Sequence, residues 1–339
     1  MSKVKVLIVD DSATIRRIIK KTLETDPDIE VVGEADDGKK AIELVAQLKP
    51  DIVTMDIHMP IMNGTEAIER IMEEYAVPIV VISGMGESIK AFELIEKGAL
   101  DLIAKENIDF NNPDEFNRKI KLYSRVKVIG RFKSKKTPEE VNEEKRKNDF
   151  DKVVVIASST GGPKALSTIF SNLKSPFPFP ILVAQHIENG FVNGLVEWIN
   201  NTTPLNVVKA EDGKRIAAGT IYISPSEKNM IVSSGNRVFL NEKEPQDIYS
   251  PSCNKLMLSA AKAYGDSVIG VILTGMGDDG AKGMQEIKKQ GGKTIAQDES
   301  TCIVFGMPNV AIKYGCIDHV MPVDAIAGML NKLAKDSSQ

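Results

Sequence analysis

The chain has 339 residues, 42% of them hydrophobic, more apolar material than one compact core usually holds and enough for two. Its 43 Lys and Arg are interleaved with 47 Asp and Glu, leaving a formal charge of -4. That excludes the basic field that draws a protein onto nucleic acid. Cys253, Cys302 and Cys316 are odd in number and form no C-x-x-C pair, so neither a disulfide framework nor a structural zinc site is expected. The opening Met-Ser-Lys-Val-Lys lacks the apolar core of a signal peptide, and no stretch is long enough to span a bilayer. The expectation is a cytoplasmic protein with no direct membrane insertion.

Along residues 1–124, short β-branched runs alternate with amphipathic stretches: Val4 to Val9, Ile15 to Leu23, Ile29 to Val32, Ala41 to Leu48, Ile52 to Met55, Ile79 to Ile82 and Leu100 to Ala104. This alternation predicts a doubly wound α/β domain with a parallel sheet. Residues 125–150 are expected to be a linker. Their core, 131–149, is dense in charge and nearly free of large apolar side chains, and it reads equally as coil or as a solvated helix over 138–147. A second parallel α/β domain is expected over 151–335, from Val153 to Ile156, Ile181 to Ala184 and Val268 to Leu273. Within it, the runs TIYIS, MIV and RVFL between Thr220 and Leu240 predict an antiparallel meander.

In the first domain Asp10 and Asp11 follow the first strand, Asp56 the third, Ser83 ends the fourth, and Lys105 lies past the fifth. Parallel strands gather such side chains at one carboxyl edge. Three carboxylates held close repel unless a hard cation neutralises them, and an oxygen-only set suits Mg²⁺. A carboxylate there can attack a phosphoryl group while a lysine and a hydroxyl stabilise the transferred charge. With V-D-D, M-D-I-H-M-P-I-M-N-G, S-G-M and A-K in order, residues 4–123 resemble the receiver domain of response regulators, a flavodoxin-like fold. The resemblance implies Asp56 as phospho-acceptor and Asp11, Asp56 and the His58 carbonyl as metal ligands. It implies Asp10 as a supporting acid and Ser83 with Lys105 as the phosphate-sensing pair. Leu102 and Glu106 depart from it, standing where the family commonly has an aromatic and a proline.

In the second domain, strand, tight turn and helix follow one another through Ala157-Ser158-Ser159-Thr160-Gly161-Gly162-Pro163. Such a turn presents hydroxyls and N–H groups, and by itself serves helix capping or phosphate binding as well as catalysis. His186 follows the strand Ile181 to Gln185, where a general base would meet that loop. The strand ending at Leu273 runs into Thr274-Gly275-Met276-Gly277-Asp278-Asp279-Gly280, which offers an acid and glycine-loosened N–H groups. The chain order Ser, His, Asp differs from the Ser, Asp, His of α/β-hydrolases, and there is no G-x-S-x-G elbow.

The stretches I-A-S-S-T-G-G, Q-H, G-V-I-L-T-G-M-G-D-D-G and V-F-G-M-P make residues 152–333 similar to the catalytic domain of the chemotaxis protein-glutamate methylesterase family. The resemblance implies Ser159 as nucleophile, His186 as base and Asp279 as acid, with the Met276 N–H, and Thr160 close by, stabilising the oxyanion. Ser158 and Asp278 are near-duplicates that the sequence does not separate from their neighbours, and His319 matches nothing catalytic. It further implies a phosphorylation-regulated esterase that needs no cofactor for hydrolysis. The partners implied are methylated chemoreceptor cytoplasmic helices and a chemotaxis histidine kinase. Glutamine deamidation is a possible companion activity, and a non-catalytic adaptor is the rival reading.

Overall fold

The computed structural model describes residues 3–84, 88–108, 112–126, 128, 150–245 and 247–337. The chain forms two compact units, one within residues 1–135 and one within 136–339. The charged stretch 131–149, with the helix expected over 138–147, lies outside the described residues.

The first unit alternates β1 (Val4–Val9), α1 (Ala13–Leu23), β2 (Ile29–Ala35), α2 (Gly38–Leu48), β3 (Ile52–Asp56), α3 (Gly64–Glu74), β4 (Ile79–Ser83), α4 (Ser88–Glu96), β5 (Asp101–Ala104) and α5 (Asp114–Tyr123). All five strands are parallel in the order β2-β1-β3-β4-β5, the flavodoxin-like arrangement. Every residue of β3 and β4 is buried, as expected where helices cover both faces of a sheet. Helices α1, α2 and α3 start where short polar side chains satisfy orphan N–H groups. Asp37 accepts from Lys39 and Lys40 at 2.8 and 3.0 Å, and Asn63 accepts from Glu66 at 3.0 Å.

The second unit runs through β6 (Val153–Ser158), α6 (Gly162–Phe170), β7 (Ile181–Gln185), α7 (Val192–Asn200), β8 (Asn206–Lys209), β9 (Thr220–Ile223), β10 (Lys228–Ser233) and β11 (Arg237–Glu242). It continues with α8 (Cys253–Tyr264), β12 (Val268–Ile272), α9 (Ala281–Lys289), β13 (Lys293–Gln297), α10 (Met307–Lys313), β14 (His319–Met321) and α11 (Val323–Asp336). Seven strands form one parallel sheet in the order β14-β13-β12-β6-β7-β9-β8. The chain leaves β6 toward β7 and later returns on its other side as β12. This is a topological switch point, where connections diverge and leave a crevice at the carboxyl ends.

The expected meander is only partly present. Its first run is β9, which pairs in parallel between β7 and β8, and only β10 and β11 are antiparallel, from Lys228↔Glu242 to Ser233↔Arg237. Burial accounts for the difference. All four residues of β9 are buried, as an interior strand requires, whereas β11 is largely exposed. The hairpin docks through Met230, Val232 and Val238 into a core shared with Leu256, Met257 and Ala260 of α8. Among the described residues, no helix is long and apolar enough to cross a membrane.

Candidate active site

Backbone hydrogen bonds join the ends of β6, β7 and β12. The His186 N–H donates to the Ser158 carbonyl at 2.9 Å, and the Ser159 N–H donates to the Thr274 carbonyl at 3.1 Å. Ser158 Oγ donates to Gln185 Oε1 at 2.6 Å in complete burial. Gln185 Nε2 in turn donates to the carbonyls of Ser159 and His186 at 2.8 and 2.7 Å. The Ser158 hydroxyl is therefore committed to holding the loop, whereas the Ser159 hydroxyl bonds to none of the described residues.

The neighbouring acids separate in the same way, since Asp278 is exposed and Asp279 buried. Nε2 of His186 lies 2.9 Å from Asp279 Oδ2. That carboxylate also accepts the Cys253 N–H at 2.7 Å, the Asn254 N–H at 2.9 Å and the Ser252 hydroxyl at 3.2 Å. These three donors sit at the start of α8, whose N-terminus favours negative charge. Burial by itself raises the Asp279 pKa; the His186 hydrogen bond and charge, with the Asn254 and Cys253 N–H groups, outweigh it and hold the carboxyl below its ordinary 3.8. Tyr249 stacks on the imidazole, with ring centroids 4.7 Å apart and planes 8° from parallel. The Cys253 Sγ lies 3.6 Å from Nε2, and burial, then Asp279, pushes that thiol well above its ordinary 9.0.

The V-F-G-M-P segment aims the loop opposite Ser159. The Gly275 carbonyl accepts from the N–H groups of Gly306 and Met307 at 3.2 and 2.9 Å. A trans peptide is planar, so fixing that carbonyl turns the Met276 N–H the other way. The N–H bonds to none of the described residues. Thr274 Oγ1 ties the same loop to the serine turn by donating to the Thr160 carbonyl at 3.0 Å. A Cβ on Gly275 would lie 2.4 Å from Met307 Sδ and 2.6 Å from Ser159 Cβ, so this close approach requires glycine. His319 begins the edge strand β14, with β13 and β12 between it and β6, and its side chain is exposed.

In the first unit, carboxylate oxygens of Asp10, Asp11 and Asp56 lie within 4.8 Å of one another. Lys105 Nζ bridges Asp10 Oδ2 at 3.0 Å and Asp56 Oδ1 at 2.9 Å. Oδ1 of Asp56 also accepts the Ile57 N–H at 2.8 Å. Ser83 Oγ donates to the Gly84 carbonyl at 3.2 Å, the His58 side chain is exposed, and Met85 of the S-G-M stretch lies outside the described residues. Arg16 Nη1 donates to the carbonyls of Asp10 and Asp11 at 2.8 and 3.2 Å, fixing the backbone that carries both acids.

Residues 154–330 match the CheB methylesterase family, and residues 6–112 match the response regulator receiver domain. The chain belongs to the CheB methylesterase family. A protein-glutamate methylesterase/protein-glutamine glutaminase 3 of Paramagnetospirillum magneticum is 39% identical, covering 97% of this chain and 95% of that protein. A protein-glutamate methylesterase/protein-glutamine glutaminase of Pyrococcus horikoshii is also 39% identical, covering 96% of this chain and 92% of that protein. The crystal structure of the Thermotoga maritima CheB methylesterase catalytic domain aligns with a TM-score of 0.52 at 40% identity, covering 54% of this chain and 98% of that one.

Against that family background, sequence reasoning missed Arg16, Gln185, Tyr249 and the Ser252-Cys253-Asn254 cradle. Only Ser252 carried a readable signal, as an N-cap before an apolar-periodic run; its reach to Asp279 is a long-range contact. At the two departures from the receiver pattern, Leu102 lies within β5 and Glu106 within a single 3₁₀ turn, Lys105–Asn107. An aromatic side chain does reach this edge, from α5: Tyr123 donates to Asp101 Oδ2 at 2.7 Å.

Burial, partly offset by the Lys105 hydrogen bond and reinforced by Asp10, raises the Asp56 pKa above its ordinary 3.8. A carboxyl raised in the folded state costs stability once ionised. That cost is absent below the unfolded value and complete above the folded one. Asp56→Asn should therefore raise the melting temperature at neutral pH in Mg²⁺-free buffer, with the gap closing on acidification toward the ordinary carboxylate range. Thermal unfolding followed by circular dichroism reads this directly, and a less stable variant at neutral pH would contradict it.

Proposed function

We propose that Ser159, His186 and Asp279 carry the ester hydrolysis of this family member. The chain is a carboxylic ester hydrolase of chemotaxis adaptation, a methylesterase coupled to a receiver. The reading of its residues rests above all on the 2.9 Å contact between His186 and Asp279, and on a turn whose Ser158 carbonyl accepts the His186 N–H and whose Ser159 hydroxyl bonds to none of the described residues. Because Nε2 faces the ionised Asp279, Nδ1 is the nitrogen that accepts the Ser159 proton. Ser159 Oγ attacks the carbonyl of a glutamate methyl ester on a chemoreceptor cytoplasmic helix. The Met276 N–H, with Thr160 nearby, receives the developing negative charge. His186 returns the proton to the departing methoxide, which leaves as methanol. It then takes a proton from the water that cleaves the acyl-enzyme and restores the carboxylate. The same acyl chemistry on a glutamine side chain would release ammonia, which accounts for the paired names carried by the relatives.

Asp10, Asp11 and Asp56 fit a hard divalent cation, because they offer only oxygen donors and one of the three is exposed to solvent. Asp11 and Asp56, with the His58 carbonyl, would hold Mg²⁺, and Asp10 supports them. When bound, the ion supplies the positive charge that three adjacent carboxylates need. Asp56 Oδ2 attacks the phosphoryl group delivered by a chemotaxis histidine kinase, and Lys105 and Ser83 contact its oxygens. Phosphorylation then raises esterase activity.

Methanol release from methylated receptor should fall by roughly 10⁴-fold or more in Ser159→Ala and far less in Ser158→Ala. Full turnover in Ser159→Ala would move the nucleophile to Ser158, and a parent protein that releases no methanol would favour the adaptor reading. With Mg²⁺, acetyl phosphate should label Asp56 and stimulate methanol release, and Asp56→Asn should lose both responses; label retained in that variant would remove Asp56 from the role. Tyr249 acts on His186 through its ring face, so Tyr249→Phe should keep near-parental kcat while Tyr249→Ala loses about tenfold in kcat with little change in KM. Equal losses in the two variants would assign its effect to the hydroxyl.

A further inference from the structure

His186, Cys253 and Asp279 come from three different segments, yet one donor atom of each lies within 4.8 Å of the others. Cys253 and Asp279 are buried and His186 is half-buried. Their donor set is imidazole nitrogen, thiol sulfur and carboxylate oxygen, which suits zinc and similar borderline-soft cations and not Mg²⁺. The distances agree with this. A tetrahedral ion with Zn–S of about 2.3 Å and Zn–N of about 2.0 Å sets those ligands roughly 3.6 Å apart, and Sγ lies 3.6 Å from Nε2. The corresponding nitrogen–oxygen edge is roughly 3.3 Å against 2.9 Å here, a mismatch that a small shift of the half-buried imidazole removes. Ser252, Cys253 and Asn254 already hold the carboxylate in place, so two of the three ligands are positioned before any ion arrives.

We propose that His186, Cys253 and Asp279 form a binding site for a zinc-class divalent cation, and that occupying it switches the esterase off. The inhibitory half rests on the reading that Nδ1 of His186 accepts the Ser159 proton. On binding, the Cys253 S–H bond breaks, an S–Zn bond forms and one proton leaves to solvent. The Nε2 lone pair makes the second bond, so the imidazole proton moves to Nδ1. Asp279 Oδ2 makes the third bond and water the fourth. With its proton on Nδ1, His186 can no longer take one from Ser159. The chain thus carries two cation sites of opposite character: an oxygen-only pocket in the receiver unit, and a nitrogen, sulfur and oxygen cluster in the catalytic unit.

The test titrates full-length protein with Co²⁺ as a spectroscopic probe in excess Mg²⁺, then displaces it with Zn²⁺, and measures methanol release in parallel. The expected result is a thiolate-to-cobalt charge-transfer band with tetrahedral visible bands. These should be lost in Cys253→Val and kept in Ser159→Ala and Asp56→Asn. Zinc should inhibit hydrolysis reversibly to chelation, and each variant's sensitivity is scored against its own zinc-free rate; Cys253→Val should need about tenfold or more zinc for the same inhibition. Cys253→Ser, checked by circular dichroism, replaces the valine variant if that one fails to fold. Absence of the band in the folded parent, its survival in Cys253→Val, or equal zinc sensitivity of parent and variant would overturn the proposal. Should Ser159→Ala hydrolyse ester normally while the band persists, the nucleophile assignment fails and the cation site stands.

Discussion

The catalytic unit is organised around a single buried carboxylate. Asp279 lies in an interior that would expel an unpaired charge at a cost of several kcal/mol, and four donors from two segments make its ionised form tolerable. Those donors also give it a direction. The N-terminus of α8 occupies one side of the carboxylate, so the remaining contact falls on Nε2 of His186, which leaves Nδ1 as the nitrogen not engaged by the acid. Tyr249 then closes the ring's face. The proposed nucleophile, base and acid thus stand on short turns whose own hydrogen bonds leave them little freedom.

The sheet makes this convergence possible. β6 lies between β7 and β12, so three segments distant in sequence end side by side, and their backbones bond directly across the crevice. Gln185 adds a side-chain amide that holds the Ser159 and His186 carbonyls together. The loop after β13 completes the arrangement from outside, since the Gly306 and Met307 N–H groups fix the Gly275 carbonyl and thereby aim the Met276 N–H. The receiver unit uses the same architecture for different chemistry. Its carboxyl edge collects oxygen donors around Lys105, and there burial prevails, so the pKa of its central acid is raised where that of Asp279 is lowered. Asp56 lies among carboxylates with one lysine, whereas Asp279 lies among donors; that contrast sets the opposite shifts.

Much of this was legible in the residues alone. Apolar runs placed the strands of both sheets that carry site residues, because a strand buried on both faces must be continuously apolar. Parallel topology then put Asp10, Asp56, Ser83 and Lys105 at one edge and Ser159, His186 and Asp279 at another, since strands that point the same way share a carboxyl end. Burial on both faces also explains the one misread strand: TIYI reads as a hairpin strand by length and spacing, yet its lack of alternation marks the interior of the parallel sheet.

What the residue order could not decide was the choice between adjacent equals and the identity of the supporting contacts. Ser158 and Ser159 are the same side chain one position apart, as are Asp278 and Asp279, and pattern reading has no means to rank them. Tertiary structure gives them different surroundings through partners remote in sequence: Gln185 occupies the Ser158 hydroxyl, and the start of α8 holds the Asp279 carboxylate. The sulfur of Cys253 beside His186 belongs to the same category, invisible in a sequence without a metal-binding motif. Periodicity and strand order are local or topological properties that a sequence carries in itself, whereas the partner of a polar atom depends on distances that exist only after the chain has closed on itself.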